Sequence, residues 1–338
     1  MIRFGIVGFG LHGVRRLVPG FALSKKCQVT ALARRDIAKA RATAAEYKIP
    51  HAFASTEELC ASPDVDAVLV TSPDSFHLPD TLTAIVHGKP VLCEKPMAMN
   101  AAECRQMVEA ARAAKVLLGV AHVFRFEDST RWFRDQIASG AIGQPVYARS
   151  EFSYQVHGHG RVWLTDPMLA AGGPVADVGV HCIDTLRYVL QDEVVRVTAR
   201  TMSDERSGAV EAAGTLTLEF YRGTLATVIV STRASYRTPL EVVGEAGVLQ
   251  ANDALTVDRP VELRFLRDGK SPEISTVNNR EAYAHQVDAF ADAICGEAKF
   301  PAPGEIGWQN QEILDAALRS AKSGRAEEVV RVSTSVSR

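Results

Sequence analysis

The chain has 338 residues, enough for about two domains with real cores. Its hydrophobic fraction of 46%, charged fraction of 23% and formal net charge of -2 are ordinary for a soluble globular protein, and no block of like charges invites nucleic acid or a membrane surface. The six cysteines (Cys27, Cys60, Cys93, Cys104, Cys182 and Cys295) lack CxxC spacing and read as thiols in a reducing cytoplasm, not as a disulfide frame or zinc site.

The chain opens on Met1-Ile2-Arg3-Phe4-Gly5-Ile6-Val7, a buried strand with no export signal ahead of it, and no later apolar run could span a bilayer, so a cytoplasmic location is expected. That strand enters Gly8-Phe9-Gly10-Leu11-His12-Gly13, and Val14, Leu17, Val18 and Phe21 follow at helical spacing. A GxGxxG between strand and helix is the context of a dinucleotide fingerprint. Its first two glycines permit a tight turn and close approach to a pyrophosphate; the third lets helix and strand pack, and the helix N-terminus supplies amide donors.

Strands and helices then alternate. Strands are expected at 28–33, 67–70, 91–93 and 116–120, and helices at 36–47, 57–61, 78–87 and 101–114. Such alternation means a parallel sheet with helices on both faces, an N-terminal Rossmann domain ending near residue 121. An acidic residue commonly ends strand two of NAD-preferring domains and binds the ribose hydroxyl. Here Arg34-Arg35 stand there, and guanidinium groups suit a 2′-phosphate, which argues for NADP(H) with NAD(H) possible. Solvated arginines near a helix start are the alternative. Two loops follow strands, where ligands collect in such sheets: Thr71-Ser72-Pro73-Asp74 with His77, and Glu94-Lys95-Pro96. A lysine facing cofactor and substrate oxygen can stabilise an alkoxide.

In residues 172–184, a helix after Pro174 would place Asp177, His181 and Asp184 at i, i+4 and i+7 on one face. A carboxylate beside an imidazole holds its orientation and favours its charged form, as general acid/base work requires. A capped helix start with a core histidine gives the same pattern.

These motifs, in this order, resemble the glucose–fructose oxidoreductase / inositol dehydrogenase / rhizopine-catabolism (Gfo/Idh/MocA) family over essentially the whole chain, including Phe290 and the ending Ser320-Ala321-Lys322-Ser323-Gly324. Within it the chain is most similar to the NADPH-dependent 1,5-anhydrofructose reductase group, through residues 119–122 with Arg125, His159 and Trp163, and residues 184–190. The resemblance implies that Lys95 contacts nicotinamide and substrate hydroxyl across a cis Lys95-Pro96 bond, that His181 is the proton donor/acceptor, and that Asp177 orients it. It further implies cofactor contacts from residues 8–13, Arg34, Arg35, Thr71, Ser72, Pro73, His77, Glu94 and Lys95, and sugar contacts from His122, Arg125, His159, Trp163 and Asp184. The stretches 124–126 and 157–160 depart locally from that group.

From residue 122 to 338 a second, α+β domain is expected, with a large, mainly antiparallel open sheet. A helix at 127–137 leads to strands at 145–155, 194–201, 215–220, 225–232, 240–243 and 261–266, and helices at 281–294 and 305–320 close the chain. His157 and His159 lack a third ligand for a metal, and Trp163 could stack on a sugar or serve as a buried anchor. The family covers its sheet by forming dimers or tetramers, so a homo-oligomer is implied. The expected activity is hydride transfer between nicotinamide and a secondary alcohol or ketone of a sugar or cyclitol. The competing readings are a cofactor-binding sensor without turnover, an enzyme that retains its nicotinamide through a non-redox cycle, and a dihydrodiol or inositol dehydrogenase using NAD.

Overall fold

The computed structural model describes residues 1–156, 162–205 and 207–332. It divides into two compact units.

The first unit contains Met1–His122 together with Tyr283–Trp308. Its six strands are β1 (Ile2–Val7), β2 (Cys27–Ala33), β3 (His51–Phe53), β4 (Ala67–Val70), β5 (Val91–Cys93) and β6 (Leu118–Val120), all parallel and ordered β3-β2-β1-β4-β5-β6. Parallel strands are covered on both faces and therefore read as unbroken apolar runs, as in the fully buried Val68-Leu69-Val70. The order reverses direction between β1 and β4, the switch point where ligands bind in such sheets. A π-helical turn at Gly13–Leu17 leads into α1 (Val18–Leu23), followed by α2 (Ile37–Glu46), α3 (Thr56–Ala61), α4 (His77–Val86) and α5 (Ala101–Ala114). Starts are set by side-chain caps: Asp36 accepts from the amides of Ala38 and Lys39, Ser55 from Glu58, and Asn100 from Glu103. The late segment packs here because Phe290 joins the rings of Phe4 and Phe300, and because Val120 donates its amide to the Ala302 carbonyl. Gly119 leaves the room: a Cβ there would lie 2.6 Å from the Phe300 ring.

The second unit contains Val123–Ala282 and residues 309–332. In chain order it holds α6 (Asp128–Ala138), β7 (Pro145–Ser153), α7 (Pro174–Asp177), α8 (Gly179–Leu190), β8 (Val194–Met202), β9 (Ala213–Phe220), β10 (Leu225–Ser231), β11 (Leu240–Gly244), β12 (Gly247–Ala251), β13 (Pro260–Leu266) and β14 (Glu273–Asn278). Then come α9 (Ala282–Ile294), nearly all of which belongs to the first unit, α10 (Gly304–Ser323), which passes from the first unit into the second, and the short β15 (Glu327–Glu328). The strands form one sheet ordered β14-β13-β12-β11-β7-β10-β9-β8-β15, antiparallel except for the β7–β10 pair. Alternation sets its two faces. Leu216, Leu218, Ala226, Val228 and Val230 turn inward, where α8 packs, while Tyr147 and its register partner Leu225 lie on the other face, each 51% exposed.

Three features differ from the sequence reading. Strands β3, β12, β14 and β15 were not anticipated. The segment Tyr283–Trp308 groups with the first unit, so a single boundary at 121/122 does not divide the chain. The helix after Pro174 is broken at Val178 (φ -118°, ψ -22°), so Asp177 ends α7 and His181 lies in the first turn of α8. The single face carrying Asp177, His181 and Asp184 is therefore replaced by a bend.

Candidate active site

In the first unit three loops meet at the C-terminal edge of the sheet. Gly8 adopts φ +77°, and a Cβ there would come within 2.4 Å of the Ser72 backbone, so the turn closes directly onto the second loop. Gly13 gives α1's leading turn its contact with the Phe9 ring, at 3.3 Å from an added Cβ. Gly10 differs: a Cβ there would meet nothing nearer than the Gly8 carbonyl at 3.7 Å. Protein packing does not require glycine at position 10, so the open space fits a pyrophosphate approaching the helix start. Phe9 is buried and Leu11 exposed, so the former can contact a dinucleotide only through its backbone.

His12 Nε2 lies 2.9 Å from Glu94 Oε1, tying the glycine loop to the third loop, and Glu94 Oε2 accepts from the Lys95 amide at 3.2 Å. Burial pushes the Glu94 carboxyl up, but His12 and Lys95 outweigh it and hold it below the usual range. The Lys95-Pro96 bond is cis, as expected. Thr71 donates to the Val7 carbonyl at 2.9 Å and Ser72 to Asp80 at 2.6 Å, so these side chains fix the loop. His77, expected among the cofactor contacts, is 1% exposed, with Nδ1 2.9 Å from the Pro96 carbonyl and Nε2 2.8 Å from the Ser72 carbonyl. A ring enclosed in this way cannot touch a bound dinucleotide, which corrects that assignment. His122 lies buried just past β6.

At the end of β2 Arg34 donates to Thr43 at 2.8 Å, and the exposed Arg35 lies over the Phe76 ring at 5.3 Å. The nearby carboxylate, Asp36, is occupied in capping α2. Position 34 thus presents cationic rather than acidic chemistry.

In the second unit His181 sits at the start of α8 between two aromatic rings, Phe124 at 4.5 Å and Phe152 at 5.8 Å between centroids, the latter stacked. Such walls exclude water and strengthen electrostatic interactions at the imidazole. Asp177 Oδ2 accepts from the Tyr154 hydroxyl at 2.5 Å. An open cleft borders Asp177 and Tyr154, lined also by Leu164, Gly173, Glu211 and Arg233. Glu211 accepts from the Val175 amide at 3.0 Å, an anion at the start of α7. Trp163 is half-buried in the turn Val162–Thr165, and His159 lies outside the described residues.

Arg125 and Asp184 do not present themselves to a sugar. They form a two-pronged ion pair at 2.8 and 2.7 Å, their side chains 7% and 3% exposed, and Asn310 donates to the same carboxylate at 2.8 Å. This corrects the expectation of direct contact: each charge is matched inside the protein. The sequence reading did not find Tyr154, Phe152, Phe124 or Glu211, because nothing local in the sequence shows which side chain each will meet. Cys182, beside His181, is buried with its thiol pushed up to about 12, which removes it as a nucleophile. No group of three or more His, Cys, Asp or Glu residues able to hold a metal occurs among the described residues.

The family model described as an oxidoreductase family with an NAD-binding Rossmann fold matches residues 2–122, and the GFO/IDH/MocA C-terminal domain model matches residues 130–250. The chain belongs to the Gfo/Idh/MocA family. It is therefore an NAD(P)-dependent oxidoreductase, in agreement with the motifs. Among members of the Gfo/Idh/MocA family, 1,5-anhydro-D-fructose reductase of Ensifer adhaerens is 33% identical over 97% of this chain and 99% of its own length. The D-xylose 1-dehydrogenase (NADP(+)) 2 of Haloferax volcanii is 32% identical over 96% and 99%. The crystal structure of aldose-aldose oxidoreductase from Caulobacter crescentus, complexed with glycerol, superposes with a TM-score of 0.91 at 25% identity, covering 97% of this chain and 99% of that one.

Proposed function

We propose that this enzyme transfers hydride between nicotinamide and a secondary alcohol or ketone of a sugar or cyclitol, with NADPH preferred over NADH. The observation that carries the reading is the setting of His181. It is a buried imidazole between two aromatic walls, just after a carboxylate that is itself fixed by Tyr154. A sensor has no need of such a proton-transfer set.

When bound, the nicotinamide supplies the hydride donor or acceptor. The chain's own residues do the rest. The backbone of residues 8–13 and the start of the following helix take the pyrophosphate, with Thr71, Ser72 and Pro73 shaping the adjoining wall. Arg34 and Arg35 take the 2′-phosphate. This is supported by the absence of an acid at the end of β2 and by the exposed Arg35 guanidinium. Lys95 steadies negative charge developing on the substrate oxygen, and His181 gives that oxygen its proton during reduction or removes it during oxidation. Asp177 holds the orientation of His181, and Tyr154 holds Asp177. His122, Trp163 and His159 are proposed sugar contacts, while Arg125 and Asp184 are proposed to position α8 rather than to bind.

The relatives named as 1,5-anhydrofructose reductase, xylose dehydrogenase and inositol dehydrogenase support a polyhydroxylated substrate. The uncovered face around Tyr147 and Leu225 supports a homodimer or homotetramer. No helix among the described residues is long and apolar enough to cross a membrane, and the six free cysteines fit the cytoplasm.

The test is turnover of NADPH with a panel of keto sugars and cyclitol ketones. Lys95→Ala and His181→Ala should each lose about 10²–10⁴-fold in kcat while NADPH still binds. Unchanged turnover in either variant overturns the assignment.

A further inference from the structure

His77 joins the loops of the first unit. Its Nδ1 lies 2.9 Å from the Pro96 carbonyl oxygen and its Nε2 2.8 Å from that of Ser72, in a site that is 1% exposed. A carbonyl oxygen only accepts, so at these distances each ring nitrogen must carry a proton. A neutral imidazole has one. Its bare nitrogen would otherwise bring a lone pair against a carbonyl lone pair, a buried mismatch that protonation removes.

We propose that His77 is a buried imidazolium that positions Lys95 by clamping the Pro96 and Ser72 carbonyls together. The clamp acts on backbone at both ends. Pro96 follows Lys95 directly, and the Ser72 backbone is the surface on which the Gly8 turn closes. Burial alone would push the ring down, since it penalises the charged form. Cys93 at the end of β5, Asp74 on the turn before α4 and the Pro96 carbonyl outweigh it and raise the ring above its ordinary value. His77 is thus a positioning residue, and its effect on turnover rests on the role proposed for Lys95; its charge does not.

Two measurements test this. In the full chain with ¹⁵N-labelled histidine, the His77 ring nitrogens are identified among the 9 histidines by loss of their signals in His77→Gln. At about pH 8 an ordinary histidine is neutral, yet both His77 nitrogens should carry protons. One protonated and one bare nitrogen overturns the proposal. Should His77→Gln not fold, through-space contacts to Pro96 assign the signals in the wild type, and the spectrum still decides.

The second measurement is kinetic. His77→Gln should lower kcat on the order of 10²-fold, the effect of misplacing a catalytic group by about 1 Å, with NADPH affinity within about threefold of wild type. Wild-type kcat in this variant overturns the positioning role. If no sugar supports turnover in the wild type, the reductase reading fails while the spectrum judges His77 independently.

Discussion

Single side chains in this enzyme separate into those that do chemistry and those that hold others in place. Tyr154 donates to Asp177, so Tyr154→Phe should lower kcat roughly tenfold or more, the loss of one hydrogen bond to a charged group, with NADPH affinity unchanged by fluorescence titration. Arg125 and Asp184 were legible as polar residues of a pocket motif, but their mutual pairing was not, because 59 residues separate them. Truncating one partner leaves a buried charge, so Arg125→Ala should cost about 3–5 kcal/mol of stability in denaturant unfolding. Glu127 carries a further signature. It is fully buried, with Oε1 unpartnered and only long contacts from Ser129 and Thr130 to Oε2, and burial raises its carboxyl well above the usual range. The folded state then holds a proton that the unfolded state has released, so the wild type loses stability as pH rises above about 4.5, the unfolded carboxyl value. Glu127→Gln should remove that slope, giving a higher melting temperature than wild type at neutral pH and a similar one in acid. Parallel slopes for the two proteins would refute the account.

At the level of elements, the long periodic segments of the first unit were legible because pattern and caps agree. Asp36, Ser55 and Asn100 start their helices where the sequence marks them. Strands β3 and β14 were not. β3 has three half-buried residues, and β14 is almost wholly exposed, so neither shows a hydrophobic alternation to read. The break at Val178 was hidden for a different reason: apolar residues on both sides keep helical spacing through it, and it shows only in the backbone, in the Val178 dihedrals and in the bond from the His181 amide to the Val178 carbonyl at 3.1 Å. The glycine loop offers a clean separation of fold from ligand. Gly8→Ala, forced into positive φ and onto the Ser72 backbone, should destabilise the chain. Gly10→Ala has room in the protein, so its stability should change by no more than about 0.5 kcal/mol. Its NADPH affinity should nevertheless fall about tenfold or more, an effect of roughly 1.4 kcal/mol. Equal affinity in Gly10→Ala and wild type would show that this space is not where the pyrophosphate lies.

For the whole molecule, the order of a dinucleotide-binding sheet followed by a large antiparallel sheet was legible from the alternation of patterns, and so was the family from three motifs in sequence. The return of residues 283–308 to the first unit was not, since it depends on Phe290 and Phe300 finding Phe4 and Gly119 across more than half the chain. The face bearing Tyr147 and Leu225 makes an assembly prediction: by light scattering the wild type should be the proposed dimer or tetramer, and Tyr147→Asp with Leu225→Asp should yield monomer. The central claim, hydride transfer with His181 as proton donor and NADPH as preferred partner, has a direct test. The enzyme is incubated with NADPH or NADH deuterated at C4 of the nicotinamide and a panel of keto sugars and cyclitol ketones, and the products are examined for carbon-bound deuterium. The account predicts label on the carbinol carbon, faster from NADPH than from NADH, and lost in His181→Ala. Label that never leaves either cofactor, or transfer by His181→Ala at the wild-type rate, would contradict it.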